Sequence, residues 1–228
     1  MCSSDLFENY MLAKQKFFDM LTSDAFALAN HDDENGAFML QNTKAQKSFY
    51  GLAKELDGEP ERVRFLGKLI ANTFLGLKFE IDGALLETRM VGTFNVYNLL
   101  AVYGAAVLLK ENPNNILAIM KDFAPPKGRF EHVEINGKVG IVDYAHTPEA
   151  LRCSLEEIKR IHNEPLWCVF GCGGDRDKEK RPLMGAVAQE YSDHIVITND
   201  NPRTEGEMQI INDILSGMDA QEIGRAHV

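Results

Sequence analysis

Two prolines and a glycine in Ala124-Pro125-Pro126-Lys127-Gly128 constrain this chain more than any other stretch. Proline lacks an amide hydrogen and clashes with the preceding helical turn, so a helical pattern running from about 114 to 123 must stop there. The glycine then frees the backbone to change direction. Because the apolar rhythm differs on the two sides, we place a domain boundary at this segment.

Before the boundary, apolar residues recur at helical spacing from Phe7 to about Leu21, and Ala25 to Ala29 reads as a buried strand ending in the turn cluster Asn30-His31-Asp32-Asp33. Leu75 to Ile81 and Ala84 to Met90 flank Asp82-Gly83, the signature of an antiparallel hairpin. Asn95 to Leu109 reads as a helix that is apolar on most sides. Beyond the boundary the pattern becomes strand 139–143, helix 148–162, strand 167–170, helix 183–191, strand 194–198 and helix 207–218. Strands alternating with helices of this length imply right-handed crossovers, and hence an α/β fold with a parallel sheet covered on both faces.

Composition removes several function classes. With Lys+Arg 24 against Asp+Glu 34 and a net charge of -10, the chain lacks the clustered cations of a nucleic-acid-coating surface, so its partners are expected to be small molecules or proteins. The cysteines at 2, 153, 168 and 172 have neither metal-site spacing nor the density of a disulfide scaffold, which favours a reducing cytoplasm. No apolar run reaches membrane-spanning length and no signal-peptide pattern opens the chain.

In open parallel sheets ligands bind at the carboxyl ends of the strands. Three loops at such positions are unusually polar: Asp143-Tyr144-Ala145-His146-Thr147-Pro148, Gly171-Cys172-Gly173-Gly174-Asp175-Arg176-Asp177 and Asn199-Asp200-Asn201-Pro202-Arg203. Glycine, asparagine and proline are ordinary turn formers, but a turn does not require two arginines and a histidine beside strand ends. The glycine-rich loop offers backbone N–H groups to an anion without the Lys-Ser/Thr ending of a P-loop. Arg176 and Arg203 add rigid guanidinium forks matched to carboxylates. Among the histidines only His146 has a motif around it. Lys14 shares a helical face with Tyr10, Phe17, Phe18 and Leu21, where a cation must snorkel, pair or be modified.

Five segments carry a resemblance: Gly92-Thr93-Phe94-Asn95-Val96-Tyr97-Asn98-Leu99-Leu100, Gly128-Arg129-Phe130-Glu131, Asp143 to Pro148, Gly171 to Arg181, and Asp200-Asn201-Pro202-Arg203. In this order they resemble the Mur ligases, over residues 7 to 221, and are most similar to the diaminopimelate-adding type. The resemblance implies an incomplete central ATPase-type α/β domain over 7–127 and an incomplete Rossmann-like C-terminal domain over 128–221. It implies a cytoplasmic step of peptidoglycan synthesis in which ATP, with Mg2+, activates a carboxyl of UDP-N-acetylmuramoyl-L-alanyl-D-glutamate for attack by meso-diaminopimelate. It further implies that Lys14 is carbamylated and holds magnesium, and that Asn95, Asn98, Arg129, Asp143 and His146 contact the nucleotide. Arg176, Asp200, Asn201, Pro202 and Arg203 would form the diaminopimelate pocket. A lysine-adding ligase or a folylpolyglutamate synthetase shares this architecture, but neither is expected to place arginine at 203. A non-catalytic nucleotide-binding module is the reading from another class.

The two ends look foreign. The codons GAG ATC GGA AGA GCA CAC GTC would encode residues 222–228, and their complement contains GTG TGC TCT TCC GAT CTC, which would encode residues 1–6 with GTG as initiator. Both resemble one sequencing-adapter segment read in opposite directions, so 1–6 and 222–228 are expected to be scars. The sugar-nucleotide-binding domain, the Gly-Lys-Thr phosphate loop and the glycine and glutamate that finish the diaminopimelate pocket are then expected outside this sequence. The piece alone is expected to be inactive.

Overall fold

The computed structural model describes residues 3–52 and 63–219. The chain divides between Pro125 and Pro126 into two compact units.

The first unit runs α1 (Ser3–Asp19), β1 (Phe26–Asn30), α2 (Gly36–Met39), β2 (Gln46–Leu52), β3 (Phe65–Thr73), β4 (Gly76–Ile81), β5 (Ala84–Thr88), α3 (Thr93–Leu108) and α4 (Pro113–Met120). Its strands form one sheet in the order β1-β2-β3-β4-β5. β1, β2 and β3 are parallel, and β4 and β5 continue the sheet antiparallel. The hairpin between β4 and β5 turns through Asp82 and Gly83, with φ of 48° and 82°, which matches the natural twist of the strands. The Asp82 carboxylate also accepts the Leu66 N–H at 3.0 Å, which ties the turn to β3.

α3 is long and apolar because it is packed on several sides. Val96, Leu99, Leu100 and Tyr103 are buried against Phe65, Leu77, Phe79 and Leu86 of the sheet and against Ile116 and Met120 of α4. α4 begins after Asn112, whose carboxamide oxygen accepts the N–H groups of Asn114 and Asn115 at 2.9 and 3.3 Å, with Pro113 in the first turn. α1 starts at Ser3 rather than Phe7, so the foreign-looking Ser3 to Leu6 continue the helix, as Ser and Asp in a first turn permit. Residues 222–228 lie outside the described residues.

The second unit contains β6 (Glu131–Ile135), β7 (Lys138–Val142), α5 (Pro148–Ile161), β8 (Trp167–Phe170), α6 (Lys180–Tyr191), β9 (His194–Ile197) and α7 (Glu207–Leu215). β8 and β9 pair in parallel. Leu151 and Leu155 of α5, Met184 and Val187 of α6, and Ile210 and Ile214 of α7 close a core over Cys168, Ile195 and Ile197. The expectation of a parallel strand at 139–143 is not met. β7 is not a strand of a parallel sheet but the antiparallel partner of β6, joined through Asn136 and Gly137 at φ of 53° and 74°. Asn-Gly is the pair that favours this turn, and it makes pairing with the immediate neighbour easier than a long crossover. Among the described residues, no helix is long and apolar enough to cross a membrane.

Candidate functional site

The parallel pair β8 and β9 delivers two loops side by side at its carboxyl end. The Gly174 N–H donates to the Asn201 carbonyl at 2.8 Å, and Arg203 Nη1 donates to the Gly174 carbonyl at 2.6 Å. A Cβ on Gly174 would lie 1.8 Å from the Pro202 carbonyl oxygen, so only glycine permits this approach. Asp175 and Arg203 both adopt left-handed backbone, at φ of 52° and 51°. The Asp175 carboxylate accepts the Thr204 hydroxyl at 2.6 Å and the Thr204 N–H at 3.3 Å. Arg176, Asp200, Asn201 and Arg203 are exposed on the two loops and Pro202 is half-buried. The structure therefore brings the two expected carboxylate-binding segments together as one unit.

Beneath them lies a group that the sequence argument passed over. Arg181, in the first turn of α6, is 0% exposed. Its Nη1 donates to Glu205 Oε2 at 2.9 Å and to Asp213 Oδ2 at 2.8 Å, while Nη2 donates to Glu205 Oε1 at 2.8 Å and to the Gly173 carbonyl at 3.4 Å. Lys178 adds a second cation 3.0 Å from Glu205. Hydrogen bonds from Arg181, then from Lys178, hold the Glu205 carboxyl well below the ordinary carboxylate range, at about 2. Those same carboxylates push the Arg181 guanidinium up, against the opposing effect of burial. Glu205 is thus engaged by Arg181 and Lys178 rather than by Arg203.

The loop after β7 is built differently. Asp143 Oδ2 accepts the Phe130 N–H at 2.8 Å, and Oδ1 accepts the Ala145 N–H at 3.0 Å and the Ser154 hydroxyl at 3.1 Å. Both oxygens thus have protein partners, and Asp143 secures the strap at 129–130 to the strand end and to α5. Phe130 is fully buried with φ of 50°, a conformation that such a tether helps to hold. Arg129 lies over the Tyr144 ring at 4.8 Å, and the Tyr144 and His146 rings meet edge-on at 5.2 Å. His146 Nδ1 lies 3.0 Å from the Tyr144 carbonyl, and Lys180 Nζ donates to the His146 carbonyl at 2.8 Å. α5 starts immediately afterwards, with the Thr147 hydroxyl accepting the Ala150 N–H at 3.2 Å.

In the first unit, Asn95 is buried near the start of α3. Its Nδ2 donates to the Val91 carbonyl at 2.7 Å, and its Oδ1 accepts from Asn98 Nδ2 at 3.0 Å. Asn98 itself is exposed, so of the two carboxamides it is the one free to meet a ligand. Tyr97, between them, donates its hydroxyl to Asp32 Oδ2 at 3.0 Å, and the same oxygen accepts the Leu52 N–H at 2.7 Å.

Lys14 departs from expectation in its surroundings. The seam that α1 buries is Met11, Gln15 and Phe18, with Gln15 Nε2 donating to the Phe38 carbonyl at 2.8 Å. Lys14 is on the neighbouring, exposed stripe with Tyr10 and Phe17, which are 54% and 61% exposed, and its ammonium lies 4.7 Å over the Tyr10 ring. The stripe of Tyr10, Lys14 and Phe17 thus lies one residue away from the buried seam. Among the described residues no group of three His, Cys, Asp or Glu side chains is placed to hold a metal ion. Lysine in its ordinary form supplies no oxygen ligand, so the residues present do not by themselves fit a magnesium site.

Comparison with known proteins follows the same division. Residues 5–106 match the Mur ligase middle domain, and residues 128–227 match the Mur ligase glutamate ligase domain. A UDP-N-acetylmuramoyl-L-alanyl-D-glutamate–2,6-diaminopimelate ligase of Cytophaga hutchinsonii is 43% identical over 214 residues, covering 93% of this chain and 43% of the relative. The protein of the same name from Parabacteroides distasonis is 44% identical over 221 residues, covering 96% and 44%. The chain thus spans less than half the length of these relatives. A solved structure of a ligase with that name superposes with a TM-score of 0.58 at 29% identity, over 97% of this chain and 46% of the other. MurF from Acinetobacter baumannii gives 0.73 at 17% identity over 96% and 46%, and shows likeness of fold alone. Two matched domain types in succession, with relatives above 40% identity along nearly the whole sequence, establish that this chain belongs to the Mur ligase family.

Proposed function

We propose that the chain is part of an ATP-dependent ligase that joins meso-diaminopimelate to UDP-N-acetylmuramoyl-L-alanyl-D-glutamate in cytoplasmic peptidoglycan synthesis. The observation that carries this reading is the locked pair of loops at 171–177 and 198–204, which presents Arg176 and Arg203 at the end of β8 and β9. Two exposed guanidinium groups on a rigid frame suit a substrate bearing an extra carboxylate, since a planar fork can engage it bidentately. Asp200, Asn201 and Pro202 shape the turn that carries Arg203. Arg176 is free of hydrogen-bonding and ionic partners among the described residues, as a group reserved for a ligand would be.

In the reaction, the γ-phosphoryl group of ATP passes to the glutamate carboxylate and ADP leaves. The amine then attacks the acyl carbon, phosphate departs and an amide remains. We assign Asn98 to contact with the nucleotide base and Asn95 to fixing the direction of the Asn98 carboxamide. Arg129 and His146 would serve the nucleotide directly. Asp143, with both oxygens already engaged, would act by holding Arg129 and the Tyr144–His146 pair in place. Lys14 would join a magnesium site only as its carbamate, which supplies the oxygen ligands a hard cation needs.

The test is substrate preference in the full-length enzyme recovered from the reading frame around this segment. Its kcat/KM for meso-diaminopimelate should exceed that for lysine by on the order of 10⁴, because a bound amino acid covers the two guanidinium groups and lysine would cover them without supplying a carboxylate. Arg203→Ala should reduce the diaminopimelate value far more than the lysine value. An equal loss for both amino acids would assign Arg203 to the fold instead. The 228-residue chain, which has no Gly-Lys-Ser/Thr sequence to cradle phosphates, should release no phosphate above background.

A further inference from the structure

We infer that Arg181 is a positioning residue that sets amino-acid selectivity by holding the Arg203 loop against the glycine-rich loop. This inference rests on the reading of Arg203 given above and adds a residue to it.

Three observations converge on α6. First, Arg181 is the largest fully buried side chain of the second unit, and it stands on the apolar face of its helix with Met184, Gly185 and Ala188. Burying a guanidinium is costly unless it is paired and hydrogen-bonded, and both terminal nitrogens of Arg181 are so bonded, while its Nε is buried without a hydrogen-bond partner among the described residues. Second, its partners come from three separate elements: the Gly173 carbonyl after β8, Glu205 after β9 and Asp213 on α7. A planar fork with fixed donor directions fixes the spacing of those three groups, which a lysine ammonium does not. Third, the fixed groups neighbour the residues that hold Arg203. Gly173 precedes Gly174, whose carbonyl accepts Arg203 Nη1 at 2.6 Å. Glu205 also accepts the Asp175 N–H at 2.6 Å, and Asp175 in turn binds Thr204 at 2.6 Å.

Arg181 therefore reaches Arg203 from both sides without touching it. One route runs through Gly173 and Gly174, the other through Glu205, Asp175 and Thr204. Because Asp175 and Arg203 both hold left-handed backbone that ordinary residues leave readily, the loops need an external clamp to keep this geometry. Loosening the clamp should spare the chemistry and blur the choice of amino acid.

The experiment uses the full-length enzyme with Arg181→Lys and, as a milder change at the half-exposed edge of the cluster, Asp213→Asn. Steady-state kinetics with meso-diaminopimelate and with lysine give KM and kcat separately for each variant, beside Arg203→Ala and the unsubstituted enzyme. The expected result for Arg181→Lys is a rise of about tenfold or more in the KM for diaminopimelate, with kcat changed by less than about threefold and the KM for lysine nearly constant. Asp213→Asn should move the same ratio in the same direction by a smaller factor. A uniform loss of kcat on both substrates, tracking a fall in melting temperature, would make Arg181 a purely structural residue and overturn the inference. So would unchanged discrimination in both variants while Arg203→Ala abolishes it. If the unsubstituted enzyme shows no preference for diaminopimelate, the reading of Arg203 itself fails, a result separable from the others. Should Arg181→Lys not fold, Asp213→Asn decides by the same ratio.

Discussion

Lys14 and Arg181 are both helical cations beside apolar residues, and they occupy opposite environments. Lys14 rests on the exposed Tyr10 ring, whereas Arg181 is sealed beneath two loops with carboxylates on both sides of its fork. The rule that an apolar helix face does not hold an unpaired cation describes Arg181, which is buried and paired, while Lys14 lies on an exposed stripe. Arg181, Met184, Gly185 and Ala188 follow the i, i+3, i+4, i+7 pattern that would have exposed it. For Lys14 the exposed setting separates fold from function. Lys14→Arg should alter the melting free energy of the chain by no more than about 0.5 kcal/mol, as a surface substitution does. In the full-length enzyme both Lys14→Ala and Lys14→Arg should lose activity, with small carboxylates partly restoring the alanine variant. An arginine variant at near-native rate would reject the carbamate, which a guanidinium cannot form. Asp143 is the contrasting case, a residue assigned to ligand contact whose oxygens are already occupied. Asp143→Ala should destabilise the second unit by about 1–3 kcal/mol, since it removes the acceptor of the Phe130 N–H, the Ala145 N–H and the Ser154 hydroxyl. A denaturant titration that shows no loss would return Asp143 to direct ligand binding.

At the scale of elements, the sequence was legible wherever local rules and tertiary packing agree. α4 and α5 have side-chain caps and a proline in the first turn, α3 is the long apolar run expected of it, and the β4–β5 hairpin follows from Asp82-Gly83. β2 was not read, because Gln46-Lys47-Ser48 opens it with polar residues and it gains its strand character from parallel partners on both sides. β6 has an explicit signal in Asn136-Gly137, but its polar Glu131, His132 and Glu134 carry less strand character than the apolar run that follows. The loops at 171–177 and 199–203 are legible as separate polar segments. Their locking together was not readable, as it depends on a carbonyl 1.8 Å from an absent side chain and on a buried arginine. Element packing also yields a test in the first unit, where the Tyr97 hydroxyl of α3 bonds Asp32 at the end of β1. Burial first, and Asp32 second, push the Tyr97 phenol up to about 12. A raised phenol stabilises the fold fully below its ordinary value of 10.0, and that contribution is lost as pH climbs from there towards about 12. Tyr97→Phe should cost about 1 kcal/mol near neutrality and remove that alkaline loss. A variant whose alkaline unfolding matches the parent's would show that Asp32 and Tyr97 do not tie α3 to β1.

The whole molecule offers an optical means of reading one unit alone, because the chain has a single tryptophan, Trp167, and it lies in β8 of the second unit. Its ring stacks on His194 with centroids 4.3 Å apart, a contact that unfolding of the β8–β9 pair must break. Tryptophan fluorescence thus follows the same pair of strands that carries the two candidate loops. The Glu205 carboxyl in that unit is held at about 2, against an ordinary 4.5. A depressed carboxyl contributes stability that is present above the ordinary value and is lost as pH falls through the folded one, so the transition should weaken between about 4.5 and about 2. Arg181 and Lys178, the partners that depress it, remain charged throughout this range, so the proton goes to the carboxylate and the cations are left facing a neutral group. Glu205→Gln removes that titration from the start. It should lower the fluorescence melting temperature at neutral pH, where the parent has the full ionic contact, and flatten its dependence between pH 4.5 and 2, where the parent is losing it. Parallel acid profiles for the two proteins would mean that the acid sensitivity of this unit lies elsewhere and that the Arg181–Glu205 contact contributes little to holding the loops.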